Sequence, residues 1–444
     1  MQVLPLLLLE LGGHSVEVAH TLIEVGRFAL IVLAARALAE LMVRLQLPTI
    51  LGELLAGVLI GLSGLHLILP PDLGAQLNGA LVAAVAGLSH LAPDQVSALY
   101  NDSFANLQSV ARLGLYALLF LTGLECELEG LIAVAAQAVG VALTGVLLPL
   151  ALGTAGLHLL FHVPLLPALF AGAAMTATSI GITASVFGEL GVLKSREGQI
   201  VIGAAVLDDI LGIVILAVVV SLAAGGSISA GPILQLLAAA AVFVAVSLLL
   251  SRKAAPLFDG LLDRLKAPGE AVAVAFLVLC LGCFAAQAIG LEAALGAFAA
   301  GLVLSNSRHA HAIEAAIQPL VALFATVFFV LIGTTMDLAV LNPLEPANRE
   351  GLVVAAFLLG IAVVTKLAAG FSYRSAEPTN RWLVGLGMMP RGEVGLIFLG
   401  LGSQAGLLNP ALEAAILIMV IGTTFLAPVL LRLVLSPAQP AATG

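Results

Sequence analysis

The chain has 444 residues, 61% of them hydrophobic and 10% charged, with a formal charge of −9 and a mean hydropathy of +1.16. Soluble domains carry about 25% charged residues, so the composition excludes a soluble globule and leaves no polar stretch long enough for a soluble regulatory domain. Nucleic-acid binding is excluded as well, because there is no basic block; the chain reads as an all-α polytopic membrane protein.

A spanning helix needs about 20 apolar residues. Apolar runs broken by proline, glycine or charge predict thirteen spans. They lie near 18–43, 48–69, 107–128, 131–161, 165–190, 195–222, 231–252, 270–290, 293–306, 317–340, 350–373, 382–405 and 410–436. The first dozen residues are apolar but lack the basic n-region of a secretory signal. The segment 71–105, mildly polar and rich in glycine and alanine, reads as an extramembrane loop with room for an interfacial helix. With the N-terminus outside, Arg44, Lys194, Arg196, Arg252, Lys253, Arg264, Lys266, Arg308, Arg374, Arg381 and Arg432 all face the cytoplasm, and Arg349 alone faces the other side. That asymmetry is the positive-inside pattern. It predicts a C-terminus in the cytoplasm, in a bacterial plasma membrane or an internal energy-coupling membrane.

The run 200–220 is apolar except for Asp208 and Asp209 at its middle. A carboxylate at bilayer depth costs at least about 2.5 kcal/mol and marks an ion or proton pathway. Lys366, in the span 350–373, is the matching cation. It either pairs with an aspartate of 195–222 or snorkels to the nearby cytoplasmic interface.

Two spans are interrupted by residues that weaken helices. The span 165–190 carries Thr176, Thr178, Ser179 and Thr183 close together, and 382–405 carries Pro390, Arg391, Gly392 and Glu393 in sequence. Proline removes a backbone donor and clashes with the preceding turn. The two spans are seven apart in order, so they run in opposite directions. The chain then reads as one transporter unit built of an inverted repeat, 18–222 and 270–436, linked by the span 231–252. Paired interrupted helices in two such halves point to a transporter's binding site.

Together these segments resemble the monovalent cation:proton antiporter superfamily, in the branch of bacterial Na+/H+ antiporters related to the membrane domain of potassium-efflux systems. The likeness runs along nearly the whole chain. It is carried by LPTILGELLAGVLIG (47–61), LLFLTGLE (118–125), ATSIGITASVFGELG (177–191), AVLDDILG (205–212), LGAFAAGLVLS (295–305), VFFVLIGTTMDL (327–338) and GMMPRGEVGL (387–396). The resemblance implies two crossing broken helices, a core domain that moves as an elevator, a separate dimerisation domain and a homodimer. It implies that Asp209 binds either the cation or a proton, that Asp208 pairs with Lys366, and that Thr178 and Ser179 lie at the first crossing point. Some relatives carry an aspartate where this chain has Ser179, so a cation here meets a neutral oxygen instead.

The implied activity is electrogenic exchange of Na+, or Li+, for H+ across a lipid membrane, with Na+ held by Asp209, Thr178 and Ser179. A hard cation wants such oxygen ligands. No cofactor is expected beyond the transported ions, and no enzymatic activity. An aspartyl protease needs two aspartates from different helices, whereas adjacent ones project about 100° apart. K+/H+ exchange and Na+-coupled symport of organic anions are the alternatives. Arg391 and Glu393 read as structural or gating, pairing with each other or with Glu189 or Arg112. Glu53, Glu125 and Glu292 read as paired or interfacial carboxylates, His309 and His311 as a solvated loop. Gly296, Ala300 and Gly301 form a face for close helix packing, and Cys280 and Cys283 are small packing residues.

Overall fold

The computed structural model describes residues 3–45, 47–71, 77–126, 128–223, 230–253, 255–264, 269–342, 344–375, 377–391 and 393–435. Among them are nineteen α-helices and no strand. In chain order they are α1 (Val3–Arg44), α2 (Thr49–Ile60), α3 (Gly79–Ser89), α4 (Pro93–Asp102), α5 (Phe104–Glu125), α6 (Leu128–Ala133) and α7 (Ala135–Leu160). There follow α8 (Leu165–Ala174), α9 (Ile180–Glu189), α10 (Arg196–Ala223), α11 (Ala230–Lys253), α12 (Ala255–Leu262), α13 (Glu270–Ala288) and α14 (Ala293–Leu304). The last are α15 (Ala310–Thr334), α16 (Pro346–Ala369), α17 (Arg381–Gly387), α18 (Glu393–Gln404) and α19 (Pro410–Leu435).

Among the described residues, eight helical stretches are long and apolar enough to cross a membrane. They coincide with eight of the thirteen predicted spans. The other five predictions fall on helices outside those eight: α1, which begins at Val3 and takes in residues 3–12 of the unassigned start, the short α2 and α14, and the two interrupted pairs α8/α9 and α17/α18. The interruptions have local causes. Between α8 and α9 the chain is non-helical, and Ser179 caps α9 by accepting the Ile182 N–H at 3.4 Å. At the second break Pro390 disfavours helix in the residue before it, and α17 ends at Gly387.

The chain divides into two compact units, 1–115 with 320–339, and 116–319 with 340–444. In the first, α2 lies so close to α1 that a Cβ on Gly52 would sit 2.5 Å from Ala39 N. Within the described residues of 71–105 lie two short helices, α3 and α4. Asn78 caps α3 and Pro93 opens α4. Both bury apolar side chains, Val82, Val85, Val96 and Tyr100, in a cluster with Ala19 and Ile23 of α1. Arg27 is buried here, stacked 3.5 Å from the Tyr100 ring centroid and donating to Ser103 Oγ and the Tyr100 carbonyl. Glu53 accepts from Thr326 Oγ1 at 2.7 Å, a paired structural carboxylate.

In the second unit α7, α8, α16, α18 and α19 surround a core that includes Phe170, Leu358, Phe398 and Met419. A smaller cluster joins α10, α11, α13 and α14 through Ile210, Ala240, Ala286 and Leu295. The face of Gly296, Ala300 and Gly301 packs within one chain. A Cβ on Gly296 would lie 2.2 Å from the Gly282 carbonyl, and one on Gly301 1.9 Å from that of Phe120. The three cysteines are free, and among the described residues no group of His, Cys, Asp and Glu could hold a metal ion.

Candidate functional site

Each helix break leaves backbone groups without partners inside the helix, and buried non-helical backbone must satisfy them from its surroundings. Here the two breaks satisfy one another. The Ser179 N–H donates to the Pro390 carbonyl at 2.9 Å. Thr183 Oγ1 donates to Gly387 O at 2.9 Å, and Arg391 Nη1 to Ala177 O at 2.8 Å. Thr424 of α19 holds the second break from behind, donating to the Arg391 carbonyl at 2.7 Å. The two interrupted spans therefore cross at their breaks.

Into this crossing α10 delivers Asp208 and α16 delivers Lys366. Neither side chain has any solvent exposure. Lys366 Nζ donates to Asp208 Oδ2 at 2.9 Å, to Thr176 O at 2.8 Å and to Thr178 Oγ1 at 3.0 Å. An ammonium has three donors, and all three are used. Thr178 Oγ1 in turn gives its one proton to Asp208 Oδ2 at 2.7 Å, with Met388 O at 3.1 Å as the competing acceptor. Gly145 of α7 makes room for the lysine head, since a Cβ there would stand 3.1 Å from Nζ. Of the two positions open to Lys366 in the sequence, the structure adopts the ion pair and not the snorkelled one.

The remaining expected residues divide. Asp209, the next residue on α10, is half-buried and projects to a different face of the helix from Asp208. Ser179 lies at the crossing, where its hydroxyl caps α9. Arg391 has no solvent exposure, and its bond runs to the Ala177 carbonyl. Gly392 and the side chain of Glu393 lie outside the described residues. Three contributors went unread in the sequence. The Thr176 carbonyl is backbone, which any residue offers. Gly145 matters for the side chain it lacks. Thr424 sits in a Gly-Thr-Thr step inside an apolar run, the one signal that marked it.

A buried ion pair of this kind stands between a large desolvation penalty and a large mutual attraction. Asp208 Oδ2 is occupied by an ammonium and a hydroxyl, so it has little capacity left for a further ligand. Asp209 keeps contact with the surroundings. The two carboxylates thus stand in different surroundings, Asp208 wholly buried and Asp209 half-buried.

The family profile described as sodium/hydrogen exchanger, transmembrane, matches residues 29–436. The high-affinity Na+/H+ antiporter NhaS3 of Synechocystis sp. is 46% identical over 91% of this chain and 88% of its own. GerN of Bacillus cereus, a Na+/H+-K+ antiporter, is 31% identical over 91% of this chain and 95% of its own. Among solved structures, the sodium proton antiporter MjNhaP1 of Methanocaldococcus jannaschii matches with a TM-score of 0.61 over 93% of this chain and 97% of that one. At 18% identity this is a likeness of fold.

Proposed function

This chain belongs to the transmembrane sodium/hydrogen exchanger family, and from that premise we propose that it is an integral membrane antiporter exchanging Na+ for H+ at Asp209. The observation that carries the reading is the wholly buried Lys366–Asp208–Thr178 cluster at the crossing of the two broken helices, with a half-buried aspartate one residue along the same helix.

Asp209 takes either a cation or a proton. One carboxylate cannot hold both, and that competition converts two binding equilibria into exchange. On this reading Thr178 and Ser179, at the crossing of the breaks, contribute neutral oxygens to the cation, the ligand type a hard monovalent cation requires. Li+, hard in the same sense, substitutes for Na+. Asp208 is the fixed partner: it keeps Lys366 charged while the pair is intact. When the pair opens and Lys366 releases its proton, a turnover moves net charge, so exchange is electrogenic. Alternating access comes from an elevator movement of the core that carries the crossing, and two copies assemble as a homodimer. K+ is the second candidate cation, because GerN, named for both ions, aligns over nearly the whole chain.

Proteoliposome proton flux tests this. Addition of Na+ or Li+ to reconstituted protein is expected to drive proton movement that responds to an imposed membrane potential. Proton flux driven by K+ alone would move the assignment to K+/H+ exchange. Sodium movement indifferent to a proton gradient would exclude antiport.

A further inference from the structure

We propose that Arg391 is the reserve counter-ion of Asp208. When Lys366 gives up its proton, Arg391 takes hold of Asp208, which stays ionised throughout the cycle. The inference rests on the antiport reading above and deepens it.

Three observations meet at the crossing. Asp208 is held through one oxygen only. Lys366 and Thr178 both bind Oδ2, while Oδ1 is buried with no hydrogen-bond partner among the described residues. Arg391 uses only one end of its guanidinium. Nη1 is bonded to Ala177 O, whereas Nε and Nη2 are buried without partners among the described residues. The two side chains are also neighbours. Ala177, which anchors Arg391, directly precedes Thr178, which binds Asp208, so both side chains meet the same short stretch of the first break. A guanidinium has five donors in a fixed fork and keeps its charge. A staple on one carbonyl needs only one of them.

The charges agree. Lys366, Arg391 and Asp208 are all fully buried, two cations to one anion. Loss of the lysine proton leaves one of each, so the hand-over requires no new charge. The proton passes from Lys366 Nζ to water on the side that the site then faces, and Na+ from that side occupies Asp209. An N–H···O bond from Arg391 to Oδ1 replaces the one from Lys366 to Oδ2, and Arg391 loses no proton. The Arg391 backbone is fixed by Thr424 and by the crossing, so only the side chain has to turn.

The test uses the full chain purified in detergent. Lys366→Gln represents the lysine without its charge. Arg391→Gln is expected to lower the melting temperature of the Lys366→Gln protein clearly more than it lowers that of the wild type. Equal shifts in the two backgrounds would reduce Arg391 to a staple and overturn the proposal. Infrared spectroscopy reads the carboxyl group itself, with Asp208→Asn assigning the band. In Lys366→Gln the Asp208 carboxyl stretch is expected to remain that of the ionised form, and in the double variant that of the protonated form. A protonated Asp208 in Lys366→Gln alone would overturn the proposal even if the double variant does not fold. Neither measurement involves transport, so failure of Na+-driven proton flux in the wild type would sink the antiport reading separately.

Discussion

Lys366 Nζ lies 2.9 Å from Asp208 Oδ2 with both side chains wholly out of solvent, and every donor on the ammonium is engaged. Removing one member of a buried pair and stranding the other costs roughly 3–5 kcal/mol, whereas removing both strands neither of the two. Asp208→Asn, which leaves Lys366 without its anion, is expected to destabilise the protein on that scale, and Lys366→Ala by less, because Arg391 then holds Asp208. The double change is expected to lose much less than their sum. Melting temperatures of the four proteins in one detergent complete the cycle, and additive losses would show that the pair is not coupled.

Asp209 is predicted to matter for transport and little for folding. It is half-buried on α10 and its neighbour Asp208 already carries the lysine. Asp209→Asn keeps the shape and removes the charge, so it takes away the cation ligand and the proton acceptor together. The variant is expected to purify as the wild type does and to show no Na+-driven proton flux. Flux at the wild-type level would place the exchange site elsewhere.

What the sequence disclosed was mostly local. Helices appear where apolar runs are long, and the second break falls where Pro390 forces it, because both are decided by neighbouring residues. The pairing of Asp208 with Lys366, 158 positions apart, was open from the charges alone and was narrowed by the resemblance. In the segment 71–105 the sequence left the number and limits of helices open, because it is mildly polar and carries no long apolar run. Its helices exist because Asn78 and Pro93 start them and because α1 offers an apolar face. The acceptor at Thr176 and the space at Gly145 were invisible, since a carbonyl and an absent side chain leave no mark in a sequence.

The Thr178 hydroxyl links the cation to the anion, accepting from Lys366 and donating to Asp208. Thr178→Val keeps the volume and deletes the hydroxyl, which leaves a buried donor unpaired. Such a loss costs about 1–3 kcal/mol. Thr178→Ser retains the oxygen and is expected to restore most of the stability and the apparent Na+ affinity. Thermal unfolding and the Na+ dependence of proton flux separate the two variants. Equal behaviour of Val and Ser would remove the hydroxyl from the account.

Two glycines make opposite predictions. A Cβ on Gly301 would lie 1.9 Å from the Phe120 carbonyl, a backbone atom that cannot turn aside. Gly301→Ala is expected to force α14 away from α5 and to lose about 1–3 kcal/mol, as overpacked cores do. Gly360 lies inside α16, where an added methyl would meet nothing within 4 Å. Gly360→Ala is expected to gain about 0.5–1 kcal/mol by restricting the unfolded chain. Melting temperatures moving in the same direction for both would contradict the packing described.

The pH dependence of one polar junction follows from Asp259 on α12, which is 6% exposed. Ser307 Oγ donates to its Oδ1 at 2.5 Å, the Arg308 N–H to the same oxygen at 3.1 Å, and Arg308 Nε to Oδ2 at 3.2 Å. The Ser307 hydrogen bond first, and then those from Arg308, hold its carboxyl below the usual range. A group whose folded pKa is depressed adds stability above its unfolded pKa and loses it as pH falls through the folded value. The unfolded reference for aspartate is about 3.9, so this stabilisation is complete at neutral pH and fades only in acid. Asp259→Asn is therefore expected to melt below the wild type near neutrality, with the gap closing under about pH 4. Melting curves of both proteins across that range decide it, and a gap that stays constant into acid would mean that the ionised form of Asp259 contributes nothing to the junction.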